Sequence, residues 1–258
     1  MQLYQLEKMT WEEVEEALQT VKIAIIPIGA HEQHGPHMTE NCDAVLAEKL
    51  ALLLGERTFP YSVITPTINM GISPHHLNFP GTITLQPETL IALIRDIVSS
   101  LKHHGINKFL LLNAHGGNQS TLGVASTKLS PELDVDIYYA KTTASAKEVI
   151  ENFTASSLYG HSCEREVSEA LYLAPEIVRK DKLTKGDITD NGRWKQLRPG
   201  KAIQGFYRYE EMTKNGAIGN ATIASAEVGR QIVETALDHL TKEISLLLGV
   251  DVKEFELN

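Results

Sequence analysis

Lys22-Ile23-Ala24-Ile25-Ile26-Pro27-Ile28 runs into Gly29-Ala30-His31-Glu32-Gln33-His34-Gly35-Pro36, and this junction decides how the chain is read. After Lys22 the run is apolar and rich in β-branched isoleucine, the pattern of a strand buried on both faces. Gly35-Pro36 then breaks the extended run and turns the chain. Side chains two apart in extended backbone point the same way, so Glu32 and His34 are expected to project into one pocket. With Asp43 a few residues on, two carboxylates and an imidazole gather just past a strand end. That donor set suits a hard or borderline divalent cation such as zinc or manganese.

Working outward, the chain alternates strands and helices. Thr10-Trp11-Glu12-Glu13 has the spacing of a capping box and opens a helix expected to run to about residue 21. Residues 43–54 carry an apolar stripe of Val45, Leu46, Leu50, Leu53 and Leu54, with Gly55 as the expected stop. Further strands are expected at 61–65, 108–112 and 135–139. Helices are expected at 87–104, from about 118, at 163–173 and at 223–248. This alternation predicts an α/β fold with a mainly parallel sheet covered by helices on both faces. Residues 181–220 lose periodicity and scatter glycines among polar residues. They read as an excursion from one domain, 1–258, over the active site or into a subunit contact.

Two later segments belong with the first. Asn113-Ala114-His115-Gly116-Gly117-Asn118 follows the strand at 108–112, and open parallel sheets bind ligands beyond the carboxyl ends of their strands. His115 is therefore expected on the same edge as Glu32 and His34. In His161-Ser162-Cys163-Glu164-Arg165-Glu166, Glu164 shares a helix face with Val167, Ser168 and Leu171, the inward side. A buried carboxylate needs a cation or several donors. Glu164 is the expected metal ligand, with Glu166, on the face of Ala170 and Leu173, as the alternative. His75 and His76, in a turn-rich stretch at 73–82, read as either substrate contacts or loop packing. His31, His37, His103, His104 and His239 read as surface or packing histidines.

Composition narrows the function. The 258 residues carry a formal net charge of −9, which argues against a nucleic-acid surface or attraction to anionic membranes. No apolar stretch reaches membrane-spanning length, the N-terminus lacks a signal pattern, and two cysteines make no disulfide framework. A cytoplasmic enzyme acting on a small molecule is the expectation. There is no Gly-x-Ser-x-Gly elbow and no phosphate-binding glycine signature.

Taken together, Glu32-x-His34-Gly35-Pro36-His37, Asp43, Phe79-Pro80-Gly81-Thr82, Asn113-x-His115-Gly116-Gly117-Asn118 and His161-x-x-Glu164-x-Glu166 resemble the creatininase (creatinine amidohydrolase) family. Asn215-Gly216-x-x-Gly219 and Ala226-x-x-Gly229 fit its C-terminal pattern, so the likeness runs from about residue 10 to about 245. The resemblance implies a three-layer α/β/α fold, a homohexamer, and a site for two divalent metal ions, zinc first, with manganese or iron as alternatives. Carried over, Glu32 and His115 bind one ion, His34 the other, and Asp43 bridges. Creatininase has a tyrosine and a metal-binding glutamate directly after the histidine matching His115, where this chain has Gly116 and Gly117. Relatives with the glycine pair commonly carry a glutamate matching Glu164, which then fills that coordination position. A tryptophan ahead of the histidine matching His161 is also missing from 151–160, so creatinine is not the expected substrate.

The resulting expectation is a metal-dependent amidohydrolase cleaving a non-peptide C–N bond of a small cyclic amide or formamide-like substrate. The metals would lower the pKa of a bridging water to about 7. His161 would give a proton to the leaving nitrogen. The alternatives are a two-metal phosphoesterase and a non-catalytic, metal-stabilised assembly protein.

Overall fold

The computed structural model describes residues 2–190, 192–198 and 200–256, so Asn191 and Pro199 of the excursion and the outermost residues of the expected domain lie outside it. Strand β2, Ile23–Ile28, is buried along its whole length, because parallel neighbours occupy both of its edges. These are β3, Ser62–Ile64, and β4, Lys108–Asn113. Outside them pair β1, Tyr4–Gln5, and β5, Asp136–Lys141, giving the order β1-β3-β2-β4-β5, parallel throughout.

Side-chain alternation along the central strands divides the core into two layers. Ala24, Ile26, Ile28, Phe109 and Leu111 face α3, Pro87–His103, and α4, Gln119–Leu133, packing on Leu90, Ile94, Val98, Leu122 and Leu129. Ile23, Ile25, Leu110 and Leu112 face α2, Cys42–Arg57, and α8, Ala226–Leu248, packing on Leu50, Leu54, Val233, Leu237 and Ile244. The result is the three-layer α/β/α arrangement with the sheet in the middle.

Several boundaries differ from expectation for local reasons. Helix α1, Trp11–Ala17, keeps its capping box, with Glu13 N–H on Thr10 Oγ1 and Thr10 N–H on the Glu13 carboxylate. It ends four residues early, in a turn leading to β2. Gly55 does not stop α2. A Cβ there would sit 2.9 Å from Ile64 Cδ1, so this glycine serves close packing of helix on strand. The two-residue strand β1 and α5, Lys147–Phe153, are additional elements that no periodicity announced.

Helix α6, Glu164–Leu173, lies against α8 at very close range, since a Cβ on Gly229 would be 1.8 Å from the Ser168 carbonyl oxygen. The described residues of 181–220 hold only short elements, among them α7, Trp194–Leu197, with a small core of Trp194, Met212 and Ile218. The last helix is α9, Val252–Glu256. No helix among the described residues is long and apolar enough to cross a membrane.

Candidate metal centre

The carboxyl ends of β2 and β4 build the floor of the site. Beyond β2, Gly29 lets the first turn of α2 approach, as a Cβ at 29 would fall 2.3 Å from Ala44 Cα. That approach carries Asp43 to the end of β2. Beyond β4, Asn113 braces the loop, its side chain accepting the His115 N–H at 3.1 Å and donating to the His115 carbonyl at 2.7 Å. Asn118 donates to Gly29 O and Asn113 Oδ1 and accepts the Ile72 N–H. One side chain thus ties the three site loops together.

The structure brings Glu32, His34, Asp43, His115 and His161 into one cluster, all at most 5% exposed. His34 Nδ1 lies 3.0 Å from the Glu32 carbonyl, to which it donates, leaving Nε2 facing Asp43 Oδ1 at 3.3 Å. His115 Nε2 donates to the Ile72 carbonyl at 3.0 Å, so its Nδ1 faces Asp43 Oδ2 at 3.0 Å and Glu32 Oε1 at 3.4 Å. His161 Nε2 donates to the Gln33 carbonyl at 2.8 Å, and its Nδ1 is 3.6 Å from Glu32 Oε1. Each imidazole is thereby fixed by a backbone carbonyl, with its other nitrogen turned inward.

His76 joins the cluster, with Nε2 3.3 Å from Glu32 Oε1. Gln33, pointing away from Glu32 and His34, donates to His76 Nδ1 and to Gly216 O while accepting the Gly35 N–H. Its side chain is legible only in three dimensions, because its partners lie 43 and 183 residues away.

The two acids of α6 part company. Glu164 is fully buried, but its oxygens accept the backbone N–H groups of Ser156 at 3.2 Å and Asn220 at 2.6 Å. Among the described residues it joins none of the groups of potential ligand atoms lying within 4.8 Å of one another. Glu166 does, with His34 and His161, while its Oε2 also accepts the Ser162 N–H. The structure therefore does not bring Glu164 to the cluster and brings Glu166 instead. A helix starting at Glu164 sets residues 164 and 166 about 200° apart around its axis, so only one can face the centre.

The chemistry of this donor set fits divalent cations. Both Glu32 oxygens, Asp43 Oδ2 and His34 Nε2 are buried without a properly angled hydrogen bond, with His34 Nε2 3.3 Å from Asp43 Oδ1 and Asp43 Oδ2 3.0 Å from His115 Nδ1. Buried polar atoms converging in this way are costly unless a cation satisfies them. Burial raises the Glu32 pKa to about 7, against the opposing pull of His115. Burial pulls His115 down, but the Glu32 and Asp43 carboxylates outweigh it and raise its pKa to about 9. Burial, with His34 alongside, pushes His161 well below the ordinary histidine range, so its imidazole is neutral.

Above the cluster lies a cleft of about 620 Å³. Its walls include Lys141 at the end of β5 and Leu197, Gln204, Phe206, Tyr207 and Tyr209 from the excursion. The Tyr209 ring sits 3.9 Å from the His76 ring and 5.2 Å from the His161 ring, centre to centre. Weak periodicity in 181–220 gave no sign of which residue would form this wall.

The creatininase family model, described as creatinine amidohydrolase, matches residues 7–244. The chain is 28% identical over 257 residues to 3-dehydro-scyllo-inosose hydrolase of Thermotoga maritima, covering 91% of this chain and 80% of that one. It is 26% identical over 228 residues to the mycofactocin precursor peptide peptidase of Mycobacterium ulcerans, covering 86% and 84%. A solved creatinine amidohydrolase (creatininase) superposes with a TM-score of 0.80 at 23% identity, over 95% of this chain and 98% of that one. Because the family match spans nearly the whole chain and the fold agrees over the same length, the chain belongs to the creatininase family and is a hydrolase.

Proposed function

We propose that this enzyme hydrolyses a non-peptide C–N bond in a small cyclic amide or formamide-like substrate with the help of two divalent metal ions. The observation that carries the reading is the split of Asp43, whose Oδ1 faces His34 Nε2 and whose Oδ2 faces His115 Nδ1. A carboxylate addressed on both oxygens by separate inward-turned imidazoles is a natural bridge between two ions. Glu32 and His115 would complete one site, and His34 and Glu166 the other.

Glu166 takes the role expected of Glu164, because Glu166 faces His34 and His161 while Glu164 is held by backbone amides. A side chain at Gly117 would place its Cβ 2.2 Å from the Ile72 carbonyl oxygen, so no acid can enter from that position. The balancing carboxylate has to come from another element, and α6 supplies it. When bound, zinc or manganese would polarise the substrate carbonyl and lower the pKa of water enough to yield hydroxide near neutrality.

The residues of the chain do the rest. Glu32, held by His76 and His115, fixes the centre while Tyr209 covers the histidine rings and screens them from bulk water. His161, with its Nε2–H committed to Gln33 O and its Nδ1 turned into the centre, would take the proton released as water adds to the carbonyl. It then returns that proton to the departing nitrogen, so that the amine leaves neutral.

The relatives' names point to different substrates, a cyclic inosose and a precursor peptide, so the substrate is a matter for assay. Metal-stripped protein should lose turnover of a responsive lactam, cyclic ureide or formamide and regain it with zinc or manganese. Full activity after verified stripping would refute the mechanism. Creatinine should be a weak substrate or none.

A further inference from the structure

The cleft over the metal centre adjoins a second cavity of about 370 Å³. The two share Ala114, His115, Gly116, Lys141, Gly160 and Glu166 as lining residues. Their common wall is low, because a Cβ added at Gly116 or at Gly160 would meet nothing within 4 Å. Beyond it the side chamber is walled partly by Thr142 and Thr143 and partly by Ile150 and Tyr159.

Two of the three basic side chains lining this chamber, Lys147 and Arg165, face carboxylates. Lys147 lies 3.5 Å from Glu151, and Arg165 lies 3.4 Å from Glu166 and 3.6 Å from Glu169. The Lys141 ammonium has no ion pair and no hydrogen bond among the described residues. Its position is set by the sheet: Lys141 ends β5 in register with Asn113 at the end of β4, two residues before His115. A lone cation therefore stands on the wall shared by both chambers.

We propose that the substrate reaches from the metal centre to the wall between the two chambers, with its scissile amide at the centre and a carboxylate at its other end paired with Lys141. A single unpaired ammonium balances one negative charge, which favours a carboxylate over a phosphate dianion. The proposal rests on the amidohydrolase reading only for the identity of the bond cleaved.

The test compares matched probes on zinc-loaded enzyme by isothermal titration calorimetry. One pair is N-formyl-4-aminobutanoate and N-formylpentylamine, and the other is hydantoin-5-propionate and 5-butylhydantoin. The carboxylated member of each pair should bind about tenfold tighter, by an amount that shrinks as salt is raised. Lys141→Gln should erase the preference with zinc content and thermal midpoint unchanged, and Lys141→Arg should keep it. Equal affinity within both pairs would overturn the proposal, as would failure of either series to bind. A preference that survives Lys141→Gln would also overturn it, by placing the carboxylate on the metals. Hydrolysis is scored separately. Preference without turnover leaves the side-chamber assignment standing and removes the amide reading, while turnover without preference does the reverse.

Discussion

The carboxylate of Glu164 accepts the backbone N–H of Asn220 at 2.6 Å, an anchor between the start of α6 and the end of the excursion. Gly219 makes it feasible, since its φ of +120° suits glycine and a Cβ there would lie 2.6 Å from Glu164 Oε2. Glu164 thus spends its charge on backbone donors while Glu166, two residues on, faces His34 and His161.

This division separates two variants. Glu166→Gln should lower metal content, measured by elemental analysis after dialysis, and should abolish most activity. Glu164→Gln should keep its metals and lower stability by about 2 kcal/mol, because charge-assisted bonds to two half-buried amides become neutral ones. Retained metal in the first variant together with lost metal in the second would restore Glu164 as the ligand.

Replacing His161 by alanine should reduce kcat by roughly 10²–10⁴-fold while leaving metal content near that of the parent enzyme. Zinc stoichiometry and steady-state kinetics measured on one preparation decide it. Loss of zinc in parallel with activity would make His161 a ligand, and an unchanged kcat would remove it from proton transfer.

Stability of the metal-free protein should depend on pH in a defined direction. Burial raises Glu32 to about 7, and the neighbouring carboxylates raise His115 to about 9 despite its burial. Groups that bind protons more tightly when folded add stability at low pH, and here it is lost as pH climbs through about 7 and then about 9. Burial lowers His75 to about 4 and depresses His76 and His161, so their contribution is lost as pH falls below about 6.5. Thermal unfolding should therefore be most resistant between about pH 6 and 7 without metal. Zinc should remove the alkaline decline and release protons on binding below pH 9, which a pH-stat records. Zinc binding at pH 7.5 with no proton release would contradict the assignment of His115.

Gly229→Ala should destabilise the fold by about 3 kcal/mol or more, since the new Cβ would lie 1.8 Å from Ser168 O and force α8 away from α6. Because α6 carries Glu166, metal affinity should fall as well. A denaturation midpoint equal to that of the parent would show that the two helices can separate at little cost.

The sequence by itself determined the layered fold and most of the centre. The run at 22–28 and the alternation after it have only one economical burial, a parallel strand inside a covered sheet. Glu32 and His34 lie just past the end of β2 and His115 just past the end of β4, where the strand pattern places them. Gly55 misled because a glycine in a helix reads the same whether it ends the helix or admits a neighbour, and only Ile64 beside it decides. The choice between Glu164 and Glu166 was not in the sequence either. Both acids sit in the first turn of α6, and their fates depend on how α8 rotates that helix and on whether the amides of Ser156 and Asn220 arrive to claim one of them. The same holds for Gln33, Tyr209 and Lys141, whose surroundings come from chain segments far away in sequence. Backbone periodicity fixes which residues can share a face, whereas the partners waiting at that face are fixed only when the segments pack.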